Sequence, residues 1–572
     1  MFQQVLAPFA HSLLLSALLA ALPLAALFVM LGVFRVKAAY AALVSLGSAV
    51  VLAIAVWGMP LGQALSATGE GVFYGLFPIL WILVSALWVY NLTVATGWFD
   101  ALGRIIRSIS DDPRVLAILV AFCFGALLES LAGFGAPVAI SAAMLIAAGM
   151  KPVRAAVVSL VANTAPVAFG AMAAPITALA GVTGLPVHDL ASMTGRQTPF
   201  VALIVPLVLV FLVDGRRGVR EAWPVALVAG AVFGLSQFVV SNFLAFEVTD
   251  VVASVLTVAA VLLMLRVWRP AQAHGEVAPD EGGVPVSHGP VVPAPRRGMP
   301  AGPGTAPAAT LLEVEVHERR GATRRDPARV LMATAPYLAI IAIFTVAQLP
   351  VIKSWLATNG TVGFAWPGLH VLGPGGKAAP NQVFHLDHLK ATGTLLFLSG
   401  VVTLGLYRIS PKDGALVLGR TLRQLRWTIV TVASVLGLSF VMNLSGQTTT
   451  LGSALAATGA FFVVLSPAIG WIGVALTGSD TSSNSLFGLL QVTAAKSAGL
   501  QPVLMAAANS AAGVMGKMLS VQNLAVAAAA AGMKDGEHVL LRKVIGWSLG
   551  LAGFVALIIV LQSTPVLGWM VP

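Results

Sequence analysis

Residues 129–137 read ESLAGFGAP: a carboxylate, two glycines and a proline inside an apolar stretch, VLAILVAFCFGALLESLAGFGAPVAISAAMLIAAGM, that runs from Val115 to Met150. An apolar run of about 20 residues spans a bilayer as a helix. Gly133, Gly135 and Pro137 interrupt such a helix, and lipid cannot satisfy the backbone groups the interruption frees, so they must face protein or a water-filled cavity. The stretch therefore predicts a broken or re-entrant helix in a membrane protein.

The rest of the chain agrees. Hydrophobic residues make up 58% of the 572 and charged residues only 10%, against about 25% charged in a soluble domain, and the mean hydropathy is +0.92. Apolar runs of spanning length recur along nearly the whole sequence, which predicts an all-α polytopic protein of about 12–14 transmembrane helices; the short alternating segments of a membrane barrel are absent from the pattern. The first run, from His11 to Phe34, is too long for a signal-peptide core and reads as a retained helix. The lone cysteine, Cys123, excludes an intramolecular disulfide and reads as a small buried hydrophobe. The net charge of +11 lies in short clusters between apolar runs, the pattern of topology signals rather than of nucleic-acid binding.

Those clusters thread the chain. Arg35 and Lys37, Arg104 to Arg114, Lys151 and Arg154, Arg216 to Arg220, and Arg266 with Arg269 mark the inner side, and the loop from Gly58 to Gly69, with no basic residue, lies outside. From Pro270 the composition turns to Pro, Gly and Ala, too poor in apolar surface to offset its ordering entropy. This divides the chain into a membrane half (1–269), a disordered cytoplasmic linker (270–329) and a second membrane half (330–572). In the second half a Gly, Pro and Trp-containing external loop from Val351 to Leu389 carries HLDHLK. Its His385, Asp387 and His388 read as loop residues, since no further spaced metal ligands accompany them.

The halves repeat. AGMKPV at 148–153 matches AGLQPV at 498–503, an offset of 350, and the same shift carries Glu129 to 479, one residue before Asp480. These two acids are read as the only ones well inside long membrane-compatible stretches. The helix after AGMKPV leads from a basic end to a weakly basic one, whereas the helix after AGLQPV leads to the basic cluster of Lys534, Arg542 and Lys543, so the two units are expected to be inverted. Inverted repeats with a broken helix in each half place a transport site near the midplane, where the breaks meet.

A helix that starts after a break presents unpaired N–H groups and a partial positive charge, which suits a small carboxylate. The binding set expected there is Ser130, Gly133 and Gly135 from the first break and Ser479, Thr481, Ser482, Ser483 and Asn484 from TGSDTSSNS. Glu129 and Asp480 are expected to couple a proton, since an ionised carboxylate is expensive at membrane depth. Lys517 can pair with Asp480, pair with the substrate carboxylate, or snorkel to an interface. Asn163, Thr164, Asn443, Gln447, Asn509, Gln522 and Asn523 serve either the site or interhelical packing.

ESLAGFGAPVAI followed by VSLVANTAPVAFGA, and later GSDTSSNSLFGLLQ with ANSAAGVMGKMLSVQN, closely resemble the bacterial L-lactate permease family. The resemblance covers most of the membrane portion and departs in the 270–329 linker. It implies proton-driven secondary uptake of L-lactate, with D-lactate and glycolate as further substrates, across the bacterial inner membrane, with no cofactor or metal. The expected partners are thus a 2-hydroxy monocarboxylate, a proton and the lipid bilayer. A sodium-coupled organic-acid carrier is the alternative, because carboxylates, hydroxyls and broken-helix carbonyls also suit sodium. Other classes fit less well: GWSLG at 546–550 matches the nucleophile pattern of hydrolases but lies in a membrane helix, no phosphate-binding loop for ATP is present, and a channel does not call for one buried carboxylate per half.

Overall fold

The computed structural model describes residues 1–107, 109–132, 135–268, 327–379, 382–533 and 536–572. Most of the expected linker, and Gly133 of the expected site, lie outside the described residues.

The apolar runs form helices because inside lipid a backbone can satisfy its own polar groups only by helix or closed barrel. The first set is α1 (Leu13–Gly32), α2 (Ala38–Ala55), α3 (Leu61–Tyr74), α4 (Trp81–Ala95), α5 (Trp98–Arg107), α6 (Pro113–Leu116), α7 (Gly125–Ala132), α8 (Ala136–Ala147), α9 (Pro152–Ala162), α10 (Gly170–Thr183), α11 (Val187–Thr194), α12 (Thr198–Phe243) and α13 (Thr249–Val267). The second set is α14 (Pro327–Ala347), α15 (Pro350–Asn359), α16 (Thr392–Tyr407), α17 (Pro411–Ser445), α18 (Gln447–Ala456), α19 (Phe462–Thr477), α20 (Asp480–Ser497), α21 (Pro502–Gly516), α22 (Val521–Ala530) and α23 (Glu537–Gln562). Starts are written in the sequence: proline occupies the first turn of α9, α17 and α21, where a missing N–H costs nothing. Ends are too, with Gly184 and Gly478 closing α10 and α19 in the left-handed conformation.

Among the described residues ten helices are long and apolar enough to cross a membrane, or eleven if the bent pair Pro152–Ala162 and Val167–Thr183 counts as one span. The difference from the expected 12–14 lies in how broken and bent helices are counted. The apolar helices Ala136–Ala147, Thr392–Tyr407 and Val521–Ala530 are shorter, and the twelve residues of α8 reach only about 18 Å of the ~30 Å core. In the other direction, α12 has 46 residues, about 69 Å, and so holds two crossings joined at a bend where Asp214 and Gly215 leave helical geometry. Arg114, expected among the basic residues that mark the inner side, is fully buried under this bend and holds Asp112 at 2.9 Å, Asp214 at 3.2 Å and Glu221 at 2.7 Å.

The offset of 350 recurs in the positions of the helices. Leu61–Ala95 and Pro411–Ser445 are each 35 residues long and begin 350 apart; α9 and α21 start at Pro152 and Pro502, and each is followed by a 3₁₀ turn, at 167–169 and 517–519, at the same offset. The corresponding helices lie side by side and antiparallel. Gly71 packs on Leu436 and Gly437, and Gly75 on Ala433, while farther along Trp88 donates to the Gly414 carbonyl at 3.0 Å and Asn91 to Thr421 Oγ1 at 2.8 Å. A Cβ on Gly71 would stand 2.5 Å from the Leu436 carbonyl oxygen, so only glycine permits this approach, the use small residues have in membrane helix pairs. Partners are exchanged between the sets: α4 packs on α16 as α17 packs on α2, and α10 on α20 as α22 on α8.

The 351–389 segment is partly regular. The strands β1 (Phe2–Gln3), β2 (Val362–Ala365), β3 (Val371–Leu372) and β4 (Val383–Leu386) pair β1 with β3 in parallel and β2 with β4 antiparallel. Asp387 in this segment is engaged by Thr361 at 2.7 Å and Lys390 at 3.2 Å.

Candidate functional site

Each set of helices is broken twice. In the first, α7 gives way to α8 across Gly135, whose φ of 84° suits glycine, with Pro137 in the opening turn of α8. Then α9 ends at Asn163 and turns through NTAP into α10 with a bend of 62°. In the second, Gly478 (φ 73°) separates α19 from α20, whose cap Ser479 accepts from the Ser482 N–H at 3.2 Å, and α21 turns at Lys517–Leu519 into α22. The sequence reading singled out one break per half; the turns at 163–166 and 517–520 are the second pair, with Pro166 and Gly516 as their signals.

Three of these breaks, together with Glu129 from the helix before the α7–α8 break, line one cleft. Glu129, Gly170 and Ala171 meet Ser479, Asp480, Thr481 and Lys517 around a cavity of about 30 Å³, room for one or two waters. Lys517 Nζ stands 2.5 Å from Glu129 Oε1, and Asn163 Nδ2 donates to Glu129 Oε2 at 2.8 Å. All three are at most 5% exposed. Of the partners expected for Lys517, Asp480 is therefore displaced by Glu129: both acids line the cleft, but the turn at 517–519 delivers the ammonium to α7. Gly170 makes room for the pair, since a Cβ there would meet Glu129 Oε1 at 3.0 Å. Ala171, Met172 and Ala173 take φ of 44°, 53° and 58°, a left-handed start to α10 that costs about 1–2 kcal/mol per residue at the cleft wall.

Asp480 has different company. Ser510 Oγ donates to Asp480 Oδ2 at 2.5 Å and Asn484 Nδ2 to the same oxygen at 3.3 Å; Oδ1 has no partner among the described residues. Asn484 also donates to the Pro175 carbonyl at 3.1 Å and accepts from Asn509 at 2.9 Å, and Asn509 in turn accepts from Gln491 at 3.1 Å. The amides thus form a ladder that fixes α20 against α21 and α10 and leaves the opening turn of α20 facing the cleft.

The remaining expected residues are placed variously. Ser483 Oγ accepts from Asn509 at 3.4 Å behind the cleft. Ser130 turns its hydroxyl onto the Leu127 carbonyl at 2.7 Å, and Thr164 onto that of Val161 at 2.7 Å. Gly135 abuts Asn523, which donates to the Lys517 carbonyl at 3.0 Å and so holds the turn that carries the lysine. Asn443 donates to Ser439 at 3.4 Å and Gln447 to the Ala49 carbonyl at 3.0 Å, both away from the cleft. Gln522 is exposed. Ser548 of GWSLG is buried between Trp471 Nε1 at 2.9 Å and the Met515 carbonyl at 2.6 Å, a helix-packing role.

Glu129 and Asp480 are not the only buried acids. Glu70 is 1% exposed and Asp250 fully buried. Glu70 follows a segment read as an external loop that is in fact the start of α3, and Asp250 opens α13, where α12 covers it. Their signals were SATGEGVFYG and VTDVVASV, each leading into an apolar run.

The sequence model of a family described as L-lactate permease matches residues 16–566. The chain is 40% identical to the L-lactate permease of Bacillus subtilis (strain 168), over 100% of this chain and 99% of that one. It is 39% identical to the glycolate permease GlcA of Escherichia coli (strain K12), over 97% of each, and 37% identical to the L-lactate permease of the same strain, over 98% of each. Among solved structures, the YdaH transporter of Alcanivorax borkumensis is similar with a TM-score of 0.41 and 13% identity, over 86% of each chain.

Proposed function

The chain belongs to the L-lactate permease family, and on that premise we propose that it is a proton-coupled symporter that takes up L-lactate, and with it D-lactate and glycolate, across the bacterial inner membrane. The observation that carries this reading is the buried Lys517–Glu129 pair in the shared cleft. A substrate carboxylate is the chemical equal of the Glu129 carboxylate and competes with it for Lys517. When Glu129 takes a proton, the ammonium is free for the substrate anion, and the opening turn of α20 adds its N-terminal partial charge. The charges balance: the empty site holds Lys⁺ and Glu⁻, and the loaded site holds Lys⁺, lactate⁻ and neutral Glu129. With Asp480 keeping one charge state throughout, this set is electroneutral in both states, so both can be carried across the low-dielectric interior, and one proton accompanies each lactate. That stoichiometry removes the opposition of about 2.3 kcal/mol per 100 mV that an inside-negative potential imposes on a lone anion.

The antiparallel correspondence of the two helix sets supports two inverted halves, 1–269 and 330–572, joined by the 270–329 linker and rocking about this cleft. The hydroxyls of Thr481 and Ser479 are suited to the substrate's 2-hydroxyl, which lactate and glycolate share. The test is uptake of radiolabelled lactate into proteoliposomes with the pH and sodium gradients varied independently. Accumulation should follow the inward proton gradient and ignore sodium; a sodium requirement would reverse the assignment of the coupling ion.

A further inference from the structure

The ion pair raises a question of supply: Glu129 is enclosed by Lys517 and Asn163, so the proton it takes up must be brought to it. Behind it lies a second buried carboxylate with no cation. Asp250, in the first turn of α13, is fully buried, and its Oδ1 accepts from Gln237 Nε2 of α12 at 3.0 Å. The same Nε2 donates to the carbonyl of Ala165 at 3.2 Å, two residues beyond the Asn163 that holds Glu129, and α13 itself packs on α7. Gln237 is also fully buried, and Asp250 Oδ2 and Gln237 Oε1 both lack a partner among the described residues.

A fully buried carboxylate with one neutral donor and a helix end beside it is not compensated as an anion. The titratable neighbours do not change this. The elements packed on α13 offer Glu129 from α7, Cys123 from the segment before it, Tyr337 and Arg329 from α14, and Glu247 from the turn at 246–248. The charges of α12 cluster at its Asp214 bend, 16 residues or more from Gln237. Among the described residues no ion pair reaches Asp250.

Glu247, three residues before Asp250 in the chain, lines a cavity of about 430 Å³ beneath the 383–392 segment. Glu70 lines the same cavity with Oε2 unpartnered among the described residues, and the threading by basic residues sets this end outside.

We infer that Asp250, held by Gln237, is a proton-binding relay between the outer cavity and Glu129. Asp250 Oδ2 holds a proton; as substrate draws Lys517 away, that proton passes to Glu129, and the Asp250 carboxylate is reprotonated from cavity water beside Glu247 and Glu70. The inference rests on the proton-symport reading, and the arms of the test separate the two. In proteoliposomes of the full chain, Asp250→Asn should keep lactate exchange between equal pools within about twofold of wild type and lose at least tenfold of the accumulation driven by a pH gradient, with a flat dependence of initial uptake on external pH. Asp250→Glu should restore part of that dependence, which a merely structural role would not predict. Wild-type vesicles that fail to respond to a proton gradient would overturn the symport reading. Coupled wild type beside an equally coupled Asp250→Asn variant would overturn the relay alone. Should Asp250→Asn fail to insert, labelling of the wild-type protein decides: a hydrophobic carbodiimide reacts with protonated buried carboxyls. An adduct mapped to Asp250 that declines as pH rises supports the relay, and its absence at acidic pH overturns it.

Discussion

Glu129 and Asp480 stand 351 residues apart in corresponding parts of two helix sets, and they keep opposite company. Glu129 lies in α7 ahead of its break and faces a lysine at 2.5 Å; Asp480 lies after its break, as the first residue of α20, and faces a serine and an asparagine. The cation that serves Glu129 comes from the other set, in the turn at 517–519, whose counterpart at 167–169 carries no charge. The two places share an acid but not its surroundings. One acid is paired with a buried cation; the other is held by neutral donors and helps to order the mouth of α20.

The largest expected effect follows from removing the cation. Lys517→Ala strands Glu129 as a buried unpaired acid, a loss of about 3–5 kcal/mol by the usual cost of halving a buried pair. Lactate uptake should vanish and the thermal unfolding midpoint should fall; adding Glu129→Gln should recover much of the stability and none of the uptake. Unchanged uptake in Lys517→Ala would dissolve the contrast between the two acids.

Next comes Glu129→Gln, which mimics the protonated acid and frees Lys517 permanently. Accumulation driven by a pH gradient should be abolished while exchange between equal lactate pools persists. Asp480→Asn should do less, because its partners are neutral: a rise in KM of about tenfold, corresponding to ~1.4 kcal/mol of lost binding, with proton coupling retained. If Asp480→Asn uncouples transport and Glu129→Gln does not, the two roles are exchanged.

Gly71→Ala tests the antiparallel seam rather than the cleft. The added methyl meets the Leu436 carbonyl oxygen, and overpacking of this kind costs about 1–3 kcal/mol, measurable as a lower unfolding midpoint with KM for lactate unchanged. The smallest effect is expected from deleting residues 275–310, whose composition supports no packed core; normal uptake should remain in a normally expressed variant.

Much of this architecture was legible in the sequence, for identifiable reasons. Long apolar runs have one solution in lipid, and Gly135, Pro137 and Gly478 interrupt them wherever they fall. The offset of 350 was visible in six residues because a proline opens the helix after each match, and Pro152 and Pro502 start α9 and α21. The partner of Lys517 was not legible. It depends on how a turn in one set approaches a helix in the other, and periodicity within a segment is silent about that. Asp250 and Glu70 were missed for a related reason: each sits near the end of its helix, where sequence suggests solvent and a neighbouring helix supplies burial instead. The helix count depends on breaks that shorten spans, as in α8 and α22, and on bends such as that at Asp214 that join two crossings.

The Lys517–Glu129 pair also sets a schedule for biogenesis. Its members are separated by 388 residues, and chain elongation at about 5–20 residues per second leaves some 20–80 s between their syntheses. During that interval α7 has its carboxyl and no counter-ion. Until the second half is made, the carboxyl of α7 lacks the cation that faces it in the finished fold, so the two helix sets complete each other's charge only when both are in the bilayer.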